Sequence, residues 1–223
     1  MTSTTPGGRS GSSIVALAPV VLLAAVVYHP HIHDLTDKAA VAAALTHDTA
    51  RWGFAHLAVG VGSGLVVLAF LAIHSYLREA GPDRWSALGV PFIVLGSTLF
   101  AFLPAMEIAM LGAAGAGADV AAVLIAMDPW FFPILLAGAI LFALGVLGFA
   151  VGIVRSGVLG PGLTWLVVAA LVVTAAARFV PLGPALYVGG AAFIVALWPL
   201  AHEMRERPRA ARPVGHPRQT LAS

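Results

Sequence analysis

The chain has 223 residues, of which 60% are hydrophobic and only 10% charged, against about a quarter charged in an average soluble domain. Its net charge is +2 and it has no cysteine, which excludes disulfides, iron-sulfur clusters and thiolate zinc sites. The basic residues gather in the C-terminal tail instead of on one face, which argues against nucleic-acid binding.

Six stretches of more than twenty residues lack any Asp, Glu, Lys or Arg. Each is long enough to cross the roughly 30 Å hydrocarbon core at about 1.5 Å per helical residue. The expected fold is all-α: a polytopic integral membrane protein, a six-helix transmembrane bundle with short outer surface helices. Residues 1–12 are expected to be a disordered cytoplasmic segment. The first span is placed at 13–29; its apolar run 14–27 has signal-peptide character, but no small-x-small cleavage site closes that run before His29, so it is read as a retained helix.

His29, His31, His33 and Asp34 follow. An extended backbone would turn alternate side chains to one side, and three imidazoles with a carboxylate suit Zn or Cu(II); His47 and Asp48 are further donors in the same region. Segment 35–51 mixes small apolar residues with Asp, Thr and His and is read as a surface helix. The second span, 53–77, begins after Trp52 and carries His56 and His74 eighteen residues apart, five turns along one face, the spacing that two stacked haems would need. Its glycines Gly60 and Gly64 form a small-xxx-small pair, as do Gly148 and Gly152 in the fourth span, and together they predict that the second and fourth spans pack closely.

The third span, 86–110, carries Pro104 and Glu107, with Met106 and Met110 beside them as soft donors that copper(I) would favour. Segment 116–128, bracketed by Asp119 and Asp128, is read as a second surface helix before the fourth span at 130–154. Residues 39–78 and 121–155 share an order of Ala-Ala-Val, Trp and terminal Arg, consistent with a parallel repeat. The fifth and sixth spans are placed at 160–179 and 184–203. An Arg- and Pro-rich tail, 204–223, is expected to be disordered, cytoplasmic and in contact with anionic lipids.

Arg9, Arg78, Arg84, Arg155 and the tail arginines fall on one side of this arrangement, against Lys38 and Arg51 on the other, so the positive-inside rule makes both termini cytoplasmic. Interfacial aromatics agree: Tyr28, Trp52 and Trp130 mark outer boundaries, and Tyr76, Trp85, Trp165 and Trp198 inner ones. The Ala, Val, Gly and Arg bias with almost no Lys points to a GC-rich genome and hence a bacterial plasma membrane.

A charge within a span costs several kcal/mol and needs a partner or a purpose. By counting helical rise, Glu107, Arg178 and His56, from three different spans, fall at one outer depth, with Pro104 freeing a backbone carbonyl one turn before Glu107. The bland expectation is a structural Glu107–Arg178 ion pair. The functional one is an outward-facing polar site that binds or transports a small or hydrophobic compound. The alternatives are a membrane enzyme on a lipid or isoprenoid-like substrate, with Glu107 or Asp128 as general acid and Trp52, Trp130, Phe131 and Phe132 as an aromatic wall, or an accessory subunit. Small-residue faces leave a homo-oligomer open.

Overall fold

The computed structural model describes the backbone of residues 6–206 and the side chains of residues 10–206. The tail for which lipid contact is expected lies almost wholly outside the described residues. Seven helices follow one another: α1 (Pro6–Tyr28), α2 (Lys38–His47), α3 (Thr49–Ala80), α4 (Arg84–Gly115), α5 (Val120–Ser156), α6 (Pro161–Ala177) and α7 (Gly183–Glu206). Five of them are long and apolar enough to cross a membrane, and α6, with 17 residues, is a shorter apolar helix. A multi-pass membrane protein is what this supports. The residues turned outward along these helices agree, for Leu57, Val61, Leu95, Leu147 and Val188 are all more than half exposed.

Aspartates set the helix starts. Asp37, Asp48, Asp83 and Asp119 each accept a hydrogen bond from backbone N–H groups in the first turn of α2, α3, α4 and α5, satisfying donors that helices otherwise leave unpaired. α6 starts differently, with Pro161 in its first turn, where the missing N–H costs nothing. α5 stops at Gly157, whose φ of +60° is the left-handed conformation that ends helices.

Two boundaries differ from expectation. α1 begins at Pro6, inside the segment read as disordered. Segment 116–128 forms no separate surface helix: from Val120 it is the first part of α5, which runs without a break through Pro129 and Pro133. A proline deletes one backbone hydrogen bond and bends a helix, and packing against neighbouring helices holds the two halves in line. The two proposed repeat units therefore differ in form, since the first is split at Asp48 into α2 and α3.

The six long elements close a ring in chain order. α1 packs on α3, α3 on α4, α4 on α5, α5 on α6, α6 on α7 and α7 back on α1, while α2 lies against α3 and α5 at one end. The tightest seam is α4 with α5, where the glycines matter: a Cβ on Gly96 would stand 2.5 Å from the Phe142 nitrogen, and one on Gly145 would stand 2.7 Å from the Ile93 nitrogen. Gly60 and Gly64 have no such neighbour within 4 Å, so the close pair predicted between the second and fourth spans is replaced by one between the third and fourth.

The ring is filled at the end away from α2. Phe70 of α3 meets Phe142 and Phe149 of α5 edge to face and stacks on Phe193 of α7, all four 2% exposed or less. A second, smaller cluster that includes Ile32, Val41, Leu45, Trp52, Met110 and Leu124 lies at the α2 end. Between the two lies open space.

Candidate functional site

That space is a cavity of about 480 Å³, a size usual for small-molecule sites, and every helix contributes to its wall. Most of the lining is aliphatic or aromatic, with Leu103, Phe131, Leu135 and Phe193 among its members. The polar exceptions are few, and the four residues read as catalytic, His56, Glu107, Arg178 and Asp128, are all among them. His56 and Glu107 meet across α3 and α4, whereas the Arg178 guanidinium lies at Phe100, two turns along α4 from Glu107.

His56 of α3 is buried and stacks on Trp52 one turn earlier, with ring centroids 4.5 Å apart. Its Nδ1 lies 2.7 Å from the Trp52 carbonyl oxygen, and its Nε2 meets Glu107 Oε2 of α4. A carbonyl only accepts, so Nδ1 carries the hydrogen and Nε2 faces the carboxyl. One proton between Nε2 and Oε2 then serves either form, imidazolium with carboxylate or imidazole with carboxylic acid. Trp52 holds the same junction from the other side by donating its Nε1–H to the Glu107 backbone carbonyl at 3.3 Å.

The expected Glu107–Arg178 ion pair is not formed. Glu107 turns to His56, while Arg178, the C-cap of α6, lies with its guanidinium carbon 4.3 Å from the Phe100 ring centre and 3.7 Å from that of Phe142. Its Nη1 is shut off from solvent and, among the described residues, has no hydrogen-bond partner. Asp128 of α5 pairs at 2.7 Å with the Lys38 ammonium of α2, which also sits 5.7 and 5.2 Å from the Phe131 and Phe132 ring centres. This pair ties α2 to α5 across the top of the cavity.

The histidine segment comes apart. His29 turns into the cavity, its ring 4.9 Å from those of both Trp52 and His56, whereas His31, His33 and Asp34 are exposed. His31 lies near Tyr187, and Asp34 accepts from Thr36 N at 2.8 Å and Thr36 Oγ1 at 2.7 Å, which holds its carboxyl below the usual range. Among the described residues no group of three or more His, Asp or Glu side chains is placed to hold a metal ion, and His29, in the cavity wall, stands apart from the exposed His31, His33 and Asp34. The cause is an isolated β-bridge between Asp34 and Leu182, with Leu35 N donating to Pro181 O and Gly183 N to His33 O, which spreads the segment over the start of α7. Of the two histidines at haem spacing, His56 has both ring nitrogens engaged within the protein, and His74 Nδ1 meets Ser86 Oγ.

The chain matches no protein-family model, no curated protein and no solved structure. The site therefore rests on its own chemistry.

Two members escaped sequence reasoning. His29 was grouped with its loop neighbours, although it directly follows the last residue of α1 and so sits at the depth of His56. Arg51 fixes it there by donating to the carbonyls of Tyr28, at 2.6 Å, and His29, at 3.3 Å, a cation closing the C-terminus of α1. Burial, with the charge of His56 second, lowers the His29 pKa to about 4, and its Nδ1 lies 2.7 Å from the Pro30 carbonyl, so at neutral pH it is an uncharged ring whose Nε2 is an acceptor. Lys38 was read only as a topological charge. Of the expected aromatic wall, Trp52, Phe131 and Phe132 line the cavity, while Trp130 is 73% exposed on the outside of α5.

Proposed function

We propose that this is a bacterial plasma-membrane protein of six spans, with both termini cytoplasmic, whose outward-facing cavity binds or moves a small hydrophobic compound. The membrane reading is supported by five long apolar helices, and the sixth span by α6, whose 17 residues reach the lower limit for crossing and which packs between α5 and α7 in the ring. The outward direction rests on the arginine distribution, since Arg78, Arg84 and Arg155 lie at the end remote from the cavity.

One observation carries the functional reading: an apolar cavity into which ionisable groups from α3, α4, α5 and the end of α6 all project. Buried ionisable groups are costly and mark binding or proton pathways more often than they add stability. The His56–Glu107 pair holds a proton in the wall of the space a ligand would fill. A ligand in that space would lie against this imidazole–carboxyl hydrogen bond. The accessory-subunit reading predicted a Glu107–Arg178 pair and loses its main support with it. The enzyme reading would need a nucleophile or activated water beside Glu107, and among the described residues no Ser or Thr hydroxyl bonds to the pair.

The test is thermal stability of purified protein in nanodiscs against a panel of hydrophobic compounds. A ligand that binds only the folded state raises the melting temperature, and a Leu103→Trp variant, whose larger side chain takes up part of the cavity, should respond less. For a compound so found, affinity should fall in Glu107→Gln, which should fold in normal yield. Equal response of wild type and Leu103→Trp to every compound would remove the cavity as the binding site.

A further inference from the structure

The guanidinium of Arg178 is the one charge on the cavity wall that the protein leaves uncompensated among the described residues. Glu107 is engaged by His56, Asp128 by Lys38, and His29 is a neutral ring. Arg178 has only the rings of Phe100 and Phe142 for company, and its enclosed Nη1 has nothing to donate to. Buried cations in proteins are ordinarily paired, because aromatic faces replace only part of the lost hydration. The two carboxylates that line the same cavity are committed elsewhere, Glu107 to His56 and Asp128 to Lys38.

From this geometry we infer that the cavity is a site for an amphiphilic monoanion, a carboxylate-headed molecule whose head is received by the N–H edge of Arg178 and whose apolar body lies against Leu103, Leu135 and Phe193. The inference rests on the reading of the cavity as a binding site and adds the ligand's chemical class. Three features select that class. The planar fork of a guanidinium matches a carboxylate in two-point contact, and with ring faces against its carbon the N–H edge is what remains for a ligand. A single uncompensated positive charge calls for a single negative one, and Glu107 and Asp128 in the same wall would repel a second. The rest of the lining is apolar, so an inorganic anion would leave most of the space unfilled while a hydrocarbon body would cover it.

Arg178 is then a ligand-binding residue retained at the expense of stability, and this separates the inference from a structural role. Arg178→Met keeps an unbranched apolar stem in the aromatic slot and removes the unpaired charge. Its melting temperature should equal or exceed that of the wild type when no ligand is added, whereas a structural arginine would lower it on removal.

The deciding experiment measures equilibrium binding of three radiolabelled probes with one chain length, dodecanoate, dodecanol and dodecyltrimethylammonium, to the full chain in nanodiscs at mildly alkaline pH. Protein-free nanodiscs provide the partition background. Wild type should take up dodecanoate above background, Arg178→Met should bind it about tenfold or more weakly, as expected for loss of a charge-assisted hydrogen bond, and Arg178→Lys should recover part of the affinity. Leu103→Trp should bind less. If dodecanol or the cation binds as well as dodecanoate in the wild type and Leu103→Trp weakens it, the cavity binds ligands but the anion assignment is overturned. If no probe binding responds to Leu103→Trp, the assignment falls together with the cavity reading. A folded Arg178→Met that binds dodecanoate like the wild type also overturns it.

Discussion

At His56 both ring nitrogens are engaged, one by a carbonyl and one by a carboxyl, and this determines what each residue of the site contributes. Removing one partner strands the other in an apolar wall, so the pair should be strongly coupled. In a double-mutant cycle, His56→Gln and Glu107→Gln should show an interaction energy of about 1 to 3 kcal/mol, measured by chemical denaturation in detergent, and Glu107→Gln with Arg178→Gln a much smaller one. A larger value for the second cycle would restore the ion pair that the sequence suggested. His29, just beyond the α1 span, gives a second handle. Its pKa is lowered to about 4 from the usual 6.5. Between these values the unfolded chain binds a proton that the folded one does not, so stability falls as pH drops from 6.5 toward 4 and is unaffected above that window. His29→Phe should flatten the melting temperature across that range; a slope unchanged by the substitution would place the titration elsewhere. Why the sequence revealed His56, Glu107 and Arg178 but not their pairing is plain in these terms. Depth follows from counting residues along a helix, whereas which group turns to which depends on helix rotation, and rotation is set by contacts such as Trp52 against the Glu107 carbonyl that no local pattern records.

At the scale of helices, most of the chain was legible because in lipid a helix is the only way to satisfy every backbone group, and uncharged length alone marks each one. All six apolar stretches correspond to helices, with starts displaced by caps: Asp48 and Asp119 start α3 and α5 well before the expected spans, and Asp83 starts α4 two residues before. The Asp that precedes each of these three runs is a cap signal that moves those starts outward. Packing partners were less legible, since small-xxx-small pairs occur on helices that use them and on helices that do not. The α4 and α5 seam makes a quantitative test. Gly96→Ala pushes a methyl group into the Phe142 backbone and should cost about 1 to 3 kcal/mol, while Gly60→Ala, with nothing within 4 Å, should be neutral or stabilising through helix propensity by up to about 1 kcal/mol. Thermal melts of the two variants in one detergent suffice. If they shift alike, the close approach of α4 and α5 is not as described.

For the whole molecule, the closed ring has one filled end and one hollow end, and the direction in which the hollow end faces decides whether the cavity serves the outside or the inside of the cell. α2 and the Asp34–Leu182 bridge cover the hollow end, while the α3–α4 and α5–α6 connections lie at the other. On the orientation proposed from the arginines, the second end is cytoplasmic. The absence of cysteine makes the question directly measurable, because a single introduced thiol is the sole target for a maleimide. Thr46→Cys, exposed near the end of α2, should react with a membrane-impermeant maleimide in intact cells. Pro82→Cys, exposed between α3 and α4, should react only after the membrane is opened. The reverse pattern would turn the cavity toward the cytoplasm, leaving the chemistry of His56, Glu107 and Arg178 intact but making it an uptake or processing site for a compound made inside. Labelling of both positions in intact cells would instead mean that α3 does not cross, because the two positions lie at opposite ends of that 32-residue helix.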